Sequence, residues 1–424
     1  MQLGKIRKFK KGELFITIIA MLMIYQPVLE QIYQRAKWLD ELAALFILLF
    51  GFVINKFKGK LTREECGILA GLFIYNIFGC ISSFVHEYQN LTISLSAWYL
   101  ANKFFMIMIG VYLCVIQSGK TIYISLKKSS RVMLLSILFW QVIGGGIGLP
   151  VFDVLSLIAR VVAILGVILW DWRGRRDIVF FVISLLLFLS TRKAKAVGAI
   201  IVFIGVYLVV EVFQKRIQLS QIIIIGSVCI IALWKKIYYY YIYGAKVNYP
   251  RPALLYQGAL LAKQYFPLGT GWGTFGSHFA NVCYSPVYHI IGWNNMRDFS
   301  GEYAVAFLTD VYWPGVYCET GWFGLIGLLV TLATIYSYIQ KVYHHDKKMY
   351  MAGMFFLGYM MITTIESTAF SHPATNCIAA GLGVILGLER NKLHQIRVVN
   401  YINMKRPDTA PKKGFVNRVG ENLA

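Results

Sequence analysis

Arg192, Lys193 and Lys195 share one short turn, Ser190-Thr191-Arg192-Lys193-Ala194-Lys195, between two apolar runs. A planar guanidinium fork matches phosphate oxygens bidentately, so the turn is suited to a phosphate or pyrophosphate. Lysines at a membrane surface also reach for lipid headgroups, and that reading stays open beside the first. Arg251 stands in Asn248-Tyr249-Pro250-Arg251-Pro252, held on a stiff backbone between two prolines. Asp310 lies in Phe307-Leu308-Thr309-Asp310-Val311-Tyr312-Trp313-Pro314, among apolar and aromatic neighbours. Such surroundings raise a carboxyl pKa and fit the group for general-base work, although a plain surface aspartate has the same pattern.

The stretch Pro267-Leu268-Gly269-Thr270-Gly271-Trp272-Gly273-Thr274-Phe275 is a glycine-rich turn, able to bring backbone close to a ligand or simply to turn tightly. It is neither a Walker loop nor a dinucleotide fingerprint, because the strand, the Lys-Ser/Thr and the acidic partner are missing. Glu319 follows Asp310 by nine residues. Lys103 and Arg160 fall inside apolar runs, where an ionisable residue marks a functional site by default. They either line a groove for a lipid-linked anion or pair structurally with a carboxylate such as Glu30 or Glu366. His278 and His289 lack metal-ligand spacing and read as loop residues.

These residues must be carried by membrane spans. The chain of 424 residues is 58% hydrophobic and 15% charged, with mean hydropathy +0.59. Soluble chains hold roughly 45–50% apolar and about 25% charged residues. The composition therefore predicts an all-α polytopic membrane protein, and the dyad alternation of a β-barrel is absent. Twelve spans are predicted, at 14–33, 41–55, 66–85, 94–116, 132–149, 154–170, 177–190, 197–213, 220–235, 321–340, 350–369 and 374–389. The first, behind Lys5, Arg7, Lys8, Lys10 and Lys11, is expected to stay uncleaved, since no small-residue cleavage site follows it.

The domain plan is a basic N-terminus at 1–13, nine spans over 14–235, a large loop at 236–320, three spans over 321–389 and a basic tail at 390–424. The net charge of +22 sits mostly in short loops, which argues topology rather than nucleic-acid binding. Lys56, Lys58, Lys60 and Arg63, then Lys120, Lys127 and Lys128, then Arg173, Arg175 and Arg176 mark one side, cytoplasmic by the positive-inside rule. Both termini fall on that side. Ser190–Lys195 and the 236–320 loop fall on the other, so the cations of the turn break the rule. Seven cysteines are scattered; Cys283 and Cys318 share the large loop, where a bridge is permitted.

Arg192, Arg251, the glycine turn and the Asp310–Gly324 stretch together resemble the O-antigen polymerase/ligase superfamily of integral-membrane glycosyltransferases. The resemblance covers about Leu185 to Leu329. Ser190-Thr191-Arg192-Lys193-Ala194 is similar to that family's Ser-Arg-small element. Arg251 with the turn at 267–275 resembles its second arginine and G-x-G-x-x-x-F segment, and Glu319-Thr320-Gly321-Trp322-Phe323-Gly324 its E-x-G-x-x-G segment. Ligase members carry His-Asn where this chain has Asp310-Val311, which favours a polymerase over a ligase.

The resemblance implies a GT-C-type bundle with an outer cavity capped by the large loop, in a bacterial inner membrane. It implies a donor glycan on polyprenyl pyrophosphate, a lipid-linked acceptor unit and metal-independent inverting transfer without a cofactor. Arg192 and Arg251 would grip the pyrophosphate and Asp310 would act as base. Lys103, Arg160, Lys193, Lys195, Gly269, Gly271, Trp272, Trp313 and Glu319 would line the substrate path, with Tyr249 and Tyr312 as further sugar-stacking surfaces. Membrane lipids, a chain-length regulator and a flippase are the expected partners. A lipid-linked oligosaccharide flippase or exporter is the rival from a different class, and the large loop counts against it.

Overall fold

A computed structural model describes residues 39–54, 61–118, 132, 134–139, 161, 162, 166, 175–191, 193–300 and 307–405. Among them there are helices and turns and no β-strand. In chain order the helices used below are α1 (Leu39–Ile54), α2 (Arg63–His86), α3 (Leu91–Ser118), α4 (Arg175–Ser190), α5 (Ala194–Tyr207) and α6 (Leu219–Ala232). There follow α7 (Trp234–Lys246), α8 (Pro250–Gln264), α9 (His278–Val282), α10 (Pro286–Ile290), α11 (Tyr312–Val342), α12 (Lys347–Thr363) and α13 (Asn376–Lys405).

Arg63–His86, Leu91–Ile116, Ala194–Val212 and Tyr312–Val342 are long and apolar enough to cross a membrane. The pair α6 and α7 makes a fifth candidate if a 72° bend between them is counted within one span. Twelve spans are not displayed. Helix α1, with 16 residues, rises only about 24 Å at ~1.5 Å per residue, short of the ~30 Å hydrocarbon core. The expected first span lies outside the described residues, as do most of the fifth and nearly all of the sixth. Apolar side chains nevertheless face outward on the candidate spans, including Phe73 and Phe84 on α2 and Ile326 and Leu329 on α11. Water-facing surfaces rarely carry such a belt, whereas lipid tails match it.

Local signals set the helix ends. Thr62 caps α2 through a reciprocal box in which the Glu65 N–H donates to Thr62 Oγ1 at 3.2 Å. Asp346 accepts from the Met349 N–H at 3.0 Å and opens α12. Small residues then set the closest helix pair, α2 against α11. Gly67 faces Thr334, and Gly71 faces Thr331 and Gly327, so the two backbones approach closely. A Cβ on Gly327 would stand 2.6 Å from the Tyr75 nitrogen.

The segment predicted as a loop from residue 236 is helical from its start, because α7 runs from Trp234 through a π turn at Tyr238–Tyr243. Beyond it, α8, the glycine turn, α9 and α10 enclose a second core of Leu254, Leu261, Phe275, Tyr288, Trp293 and Phe299. Trp293 stacks on Phe299 with centroids 4.4 Å apart. Cys283 and Cys318 are both free thiols.

Replacing Gly327 by Val should force α2 and α11 apart and cost about 1–3 kcal/mol, the usual penalty of overpacking. Thermal unfolding in detergent checks this, and an unchanged midpoint would show that the pair is not tightly seated.

Candidate functional site

The polar end of the bundle gathers four charged side chains from distant parts of the sequence. Arg251 projects from the first turn of α8, where Pro250 and Pro252 sit in the helix start that tolerates proline. Its Nε lies 3.1 Å from Asp310 Oδ2, and its guanidinium lies over the Tyr240 ring at 4.6 Å. Lys195, in the first turn of α5, is buried, 3.5 Å from the Ser367 hydroxyl, and acts electrostatically on Asp310. Glu366 acts on Asp310 as well, with the opposite sign.

Burial pushes the Asp310 carboxyl above the usual aspartate range. Arg251 pulls it down through charge and a hydrogen bond, Glu366 pushes it up and Lys195 pulls it down, and the net direction remains upward. A carboxylate poised this way accepts a proton more readily than an exposed aspartate. Arg251 and Glu366 line a cavity of about 450 Å³ together with Tyr240, Tyr241, Trp313 and Thr364. Away from this polar end, Val202, Val206, Ile225, Leu357 and Met361 make its walls apolar. Trp313 is held in place by its indole N–H, which donates to Thr364 Oγ1 at 3.0 Å.

The structure thus brings together Arg251, Asp310, Lys195 and Trp313. Lys193 is exposed and lines a neighbouring cavity. Arg192 and Arg160 lie outside the described residues.

Other predicted site residues do different work. Lys103 is fully buried, with Nζ 2.5 Å from Asp40 Oδ2 and 3.8 Å from Glu41 Oε1, so it ties α3 to α1 instead of lining a ligand groove. Its partner is neither of the carboxylates expected from sequence. Gly269 and Gly271 spend their N–H groups inside the protein, on Ser82 Oγ at 2.9 Å and on the Glu319 carbonyl at 2.9 Å. Gly271, with φ of +98°, passes so close to Ser83 that a side chain does not fit. The turn is therefore an anchor on α2 and α11, with these donors already committed.

Glu319 is the other half of that anchor. Its Oε1 accepts from the Thr274 N–H at 2.9 Å, the Phe275 N–H at 3.1 Å and the Ser277 hydroxyl at 2.6 Å. Trp272 is buried against Tyr75, edge to face at 5.2 Å, and offers no sugar platform. Tyr312 is buried against Phe370, while the Tyr249 hydroxyl meets that of Tyr239 at 2.9 Å. Sequence reading missed Glu366 as a cavity residue, and Lys236 and Tyr240 altogether. A carboxylate within the apolar run 350–369 was the available signal for Glu366. Among the described residues, no three His, Cys, Asp or Glu side chains converge as metal ligands.

No protein-family model matches this chain, and no curated protein matches it.

Glu319→Ala should strand two buried N–H groups and a hydroxyl, costing on the order of 3 kcal/mol. Glu319→Gln, which keeps an acceptor, should cost less. Thermal unfolding and proteolysis within 267–276 check both, and a native-like Ala variant would return Glu319 to a direct ligand role.

Proposed function

We propose that the protein is a membrane glycosyltransferase that polymerises lipid-linked polysaccharide repeat units at the outer face of a bacterial cytoplasmic membrane. The observation that carries the reading is Arg251, which lines the polar end of an otherwise apolar cavity and is paired there with Asp310, on which Lys195 also acts. A lipid carrying a diphosphate and a sugar has the same division of character: apolar chain, anionic middle, hydroxylated end. The cavity size falls within the ~300–1,000 Å³ of ordinary ligand sites. The resemblance of the 190–194, 251, 267–275 and 319–324 segments to O-antigen polymerases supplies the reaction class.

In the proposed reaction a hydroxyl oxygen of the acceptor sugar attacks the anomeric carbon of the donor. The bond from that carbon to the pyrophosphate oxygen breaks, and the hydroxyl proton passes to Asp310. Charge gathers on the departing pyrophosphate, where Arg251, Lys195 and Arg192 stabilise it. Substrate entry separates Arg251 from Asp310, leaving the carboxylate free to act as base. One displacement inverts the anomeric centre. The twelve-span topology with both termini cytoplasmic belongs to the same proposal.

Arg251→Ala and Asp310→Asn should each abolish long-chain polysaccharide at unchanged protein level, a loss of about 10²–10⁴ in rate for removal of a general base. Gel analysis of polymer length in cells dependent on this chain reads the result; normal chains in Asp310→Asn would remove the base assignment.

Activity should rise with pH as Asp310 loses its proton, with the acid limb above the ordinary aspartate range. Residual activity of Arg251→Gln should show that limb moved to higher pH, because the cation that lowers the carboxyl pKa is gone. A limb moved downward in a pH–rate profile would exclude Asp310.

Thiol labelling of Thr191→Cys tests the topology. Reaction from the outside only is expected, and reaction from the cytoplasm alone would invert the assignment.

A further inference from the structure

A second cavity, of about 670 Å³, adjoins the first between α4, α5 and the α6–α7 bend. The two share a wall made by Ala194, Leu233 and Lys236. Lys193, Lys235 and Lys236 stand at the second cavity, all three exposed and without an ion-pair partner among the described residues. Its remaining lining is apolar, including Phe188, Leu189, Val197 and Ile231. Trp234, also lining it, is the kind of residue that settles at the level of headgroups.

Two independent features point to an anion here. Three ammonium groups without an ion-pair partner among the described residues line one cavity. The N-terminus of the 14-residue helix α5 also meets this wall, and its N-cap residue Lys193 makes no side-chain cap bond. A helix start of that kind presents free N–H groups and positive potential to an anion. The apolar lining, continuous with this cationic mouth, asks for a ligand with a long hydrocarbon chain.

We infer that this second cavity holds the acceptor lipid, with its diphosphate at Lys193, Lys235 and Lys236 and its chain on the apolar lining. This rests on the polymerase reading above, which requires two lipid-linked substrates side by side. The shared wall would set donor and acceptor in adjacent clefts, with the acceptor sugar beside the Arg251–Asp310 pair. The turn at 190–195 then borders both sites: Ala194 lines both cavities and Lys193 the second.

Native mass spectrometry of the purified full chain with undecaprenyl pyrophosphate tests the inference by stoichiometry. Two bound molecules are expected for the wild type. The triple variant Lys193→Gln/Lys235→Gln/Lys236→Gln should bind one, its second affinity weakened on the order of a hundredfold for three lost cations. Arg251→Ala should lose the other molecule and keep the one at the lysines.

A wild type that binds only one molecule, or a triple variant that still binds two, would overturn the second site and leave the polymerase reading standing. A wild type that binds none would sink the polymerase reading itself. Competition with phosphatidylglycerol separates the sources of the anion. Displacement of the second molecule at equal concentration would make this a phospholipid site, contrary to the proposal.

Discussion

One buried oxygen, Glu319 Oε1, takes three donors from the segment 274–277 and thereby fixes the cap to the bundle. Water cannot replace it there, because Glu319 is buried. Two backbone bonds reinforce the contact, from Thr270 to the Cys318 carbonyl at 2.7 Å and from Gly271 to that of Glu319 at 2.9 Å. They are possible because α11 breaks at Gly321, whose φ of 69° and ψ of −179° no helix contains. The site follows from this seam. Leu308 is buried in the cap core, which holds Asp310 two residues later, and the Tyr312 N–H bonds the Thr364 carbonyl at 3.1 Å. Gly258 of α8 packs on Tyr317 and Phe275, which sets the helix that carries Arg251.

Two ion pairs show why chemistry belongs at one of them. Lys103 and Asp40 are almost wholly excluded from solvent, and breaking such a pair costs about 3–5 kcal/mol. Arg251 and Asp310 keep 18% and 26% of their side-chain surface and line or adjoin an open cavity. Partly solvated pairs contribute little, about 0–1 kcal/mol, so a ligand can exchange with either partner at small cost. A buried charge in an apolar run is thus ambiguous from sequence. What separates brace from site is whether the carboxylate opposite is sealed in or faces a void.

That distinction limits what the sequence reveals. Arg251 and Asp310 were legible as a guanidinium on a proline-stiffened backbone and a carboxyl among aromatics, and the structure brings them into contact. The span expected to open at Gly321 begins instead at Tyr312, with Gly321 a break inside the helix. The glycine turn supports two readings from sequence, because glycine serves close approach to a ligand and close approach to backbone alike. Only the acceptors on Ser82, Ser83 and Glu319 decide between them. For Lys103 the structural pair left open by the sequence is the one formed, and its partner was hidden because Asp40 is 63 residues away. The bend after Ala232 had no local signature: neither proline nor glycine marks it.

That bend decides how much of the membrane end is open. A straight continuation of α6 would carry Trp234, Lys235 and Lys236 along the direction of the span, where lysines are costly. Turning by 72° lays α7 across it, so the apolar face of α6 and the tyrosines of α7 meet at a corner. The corner residue Leu233 lines both cavities, and Lys236, one turn further, does so too. Both lysines are exposed at that corner. Lys193 and the two lysines of the bend therefore line one opening. An anion at that opening would relieve their mutual repulsion, since among the described residues no carboxylate is paired with Lys193, Lys235 or Lys236.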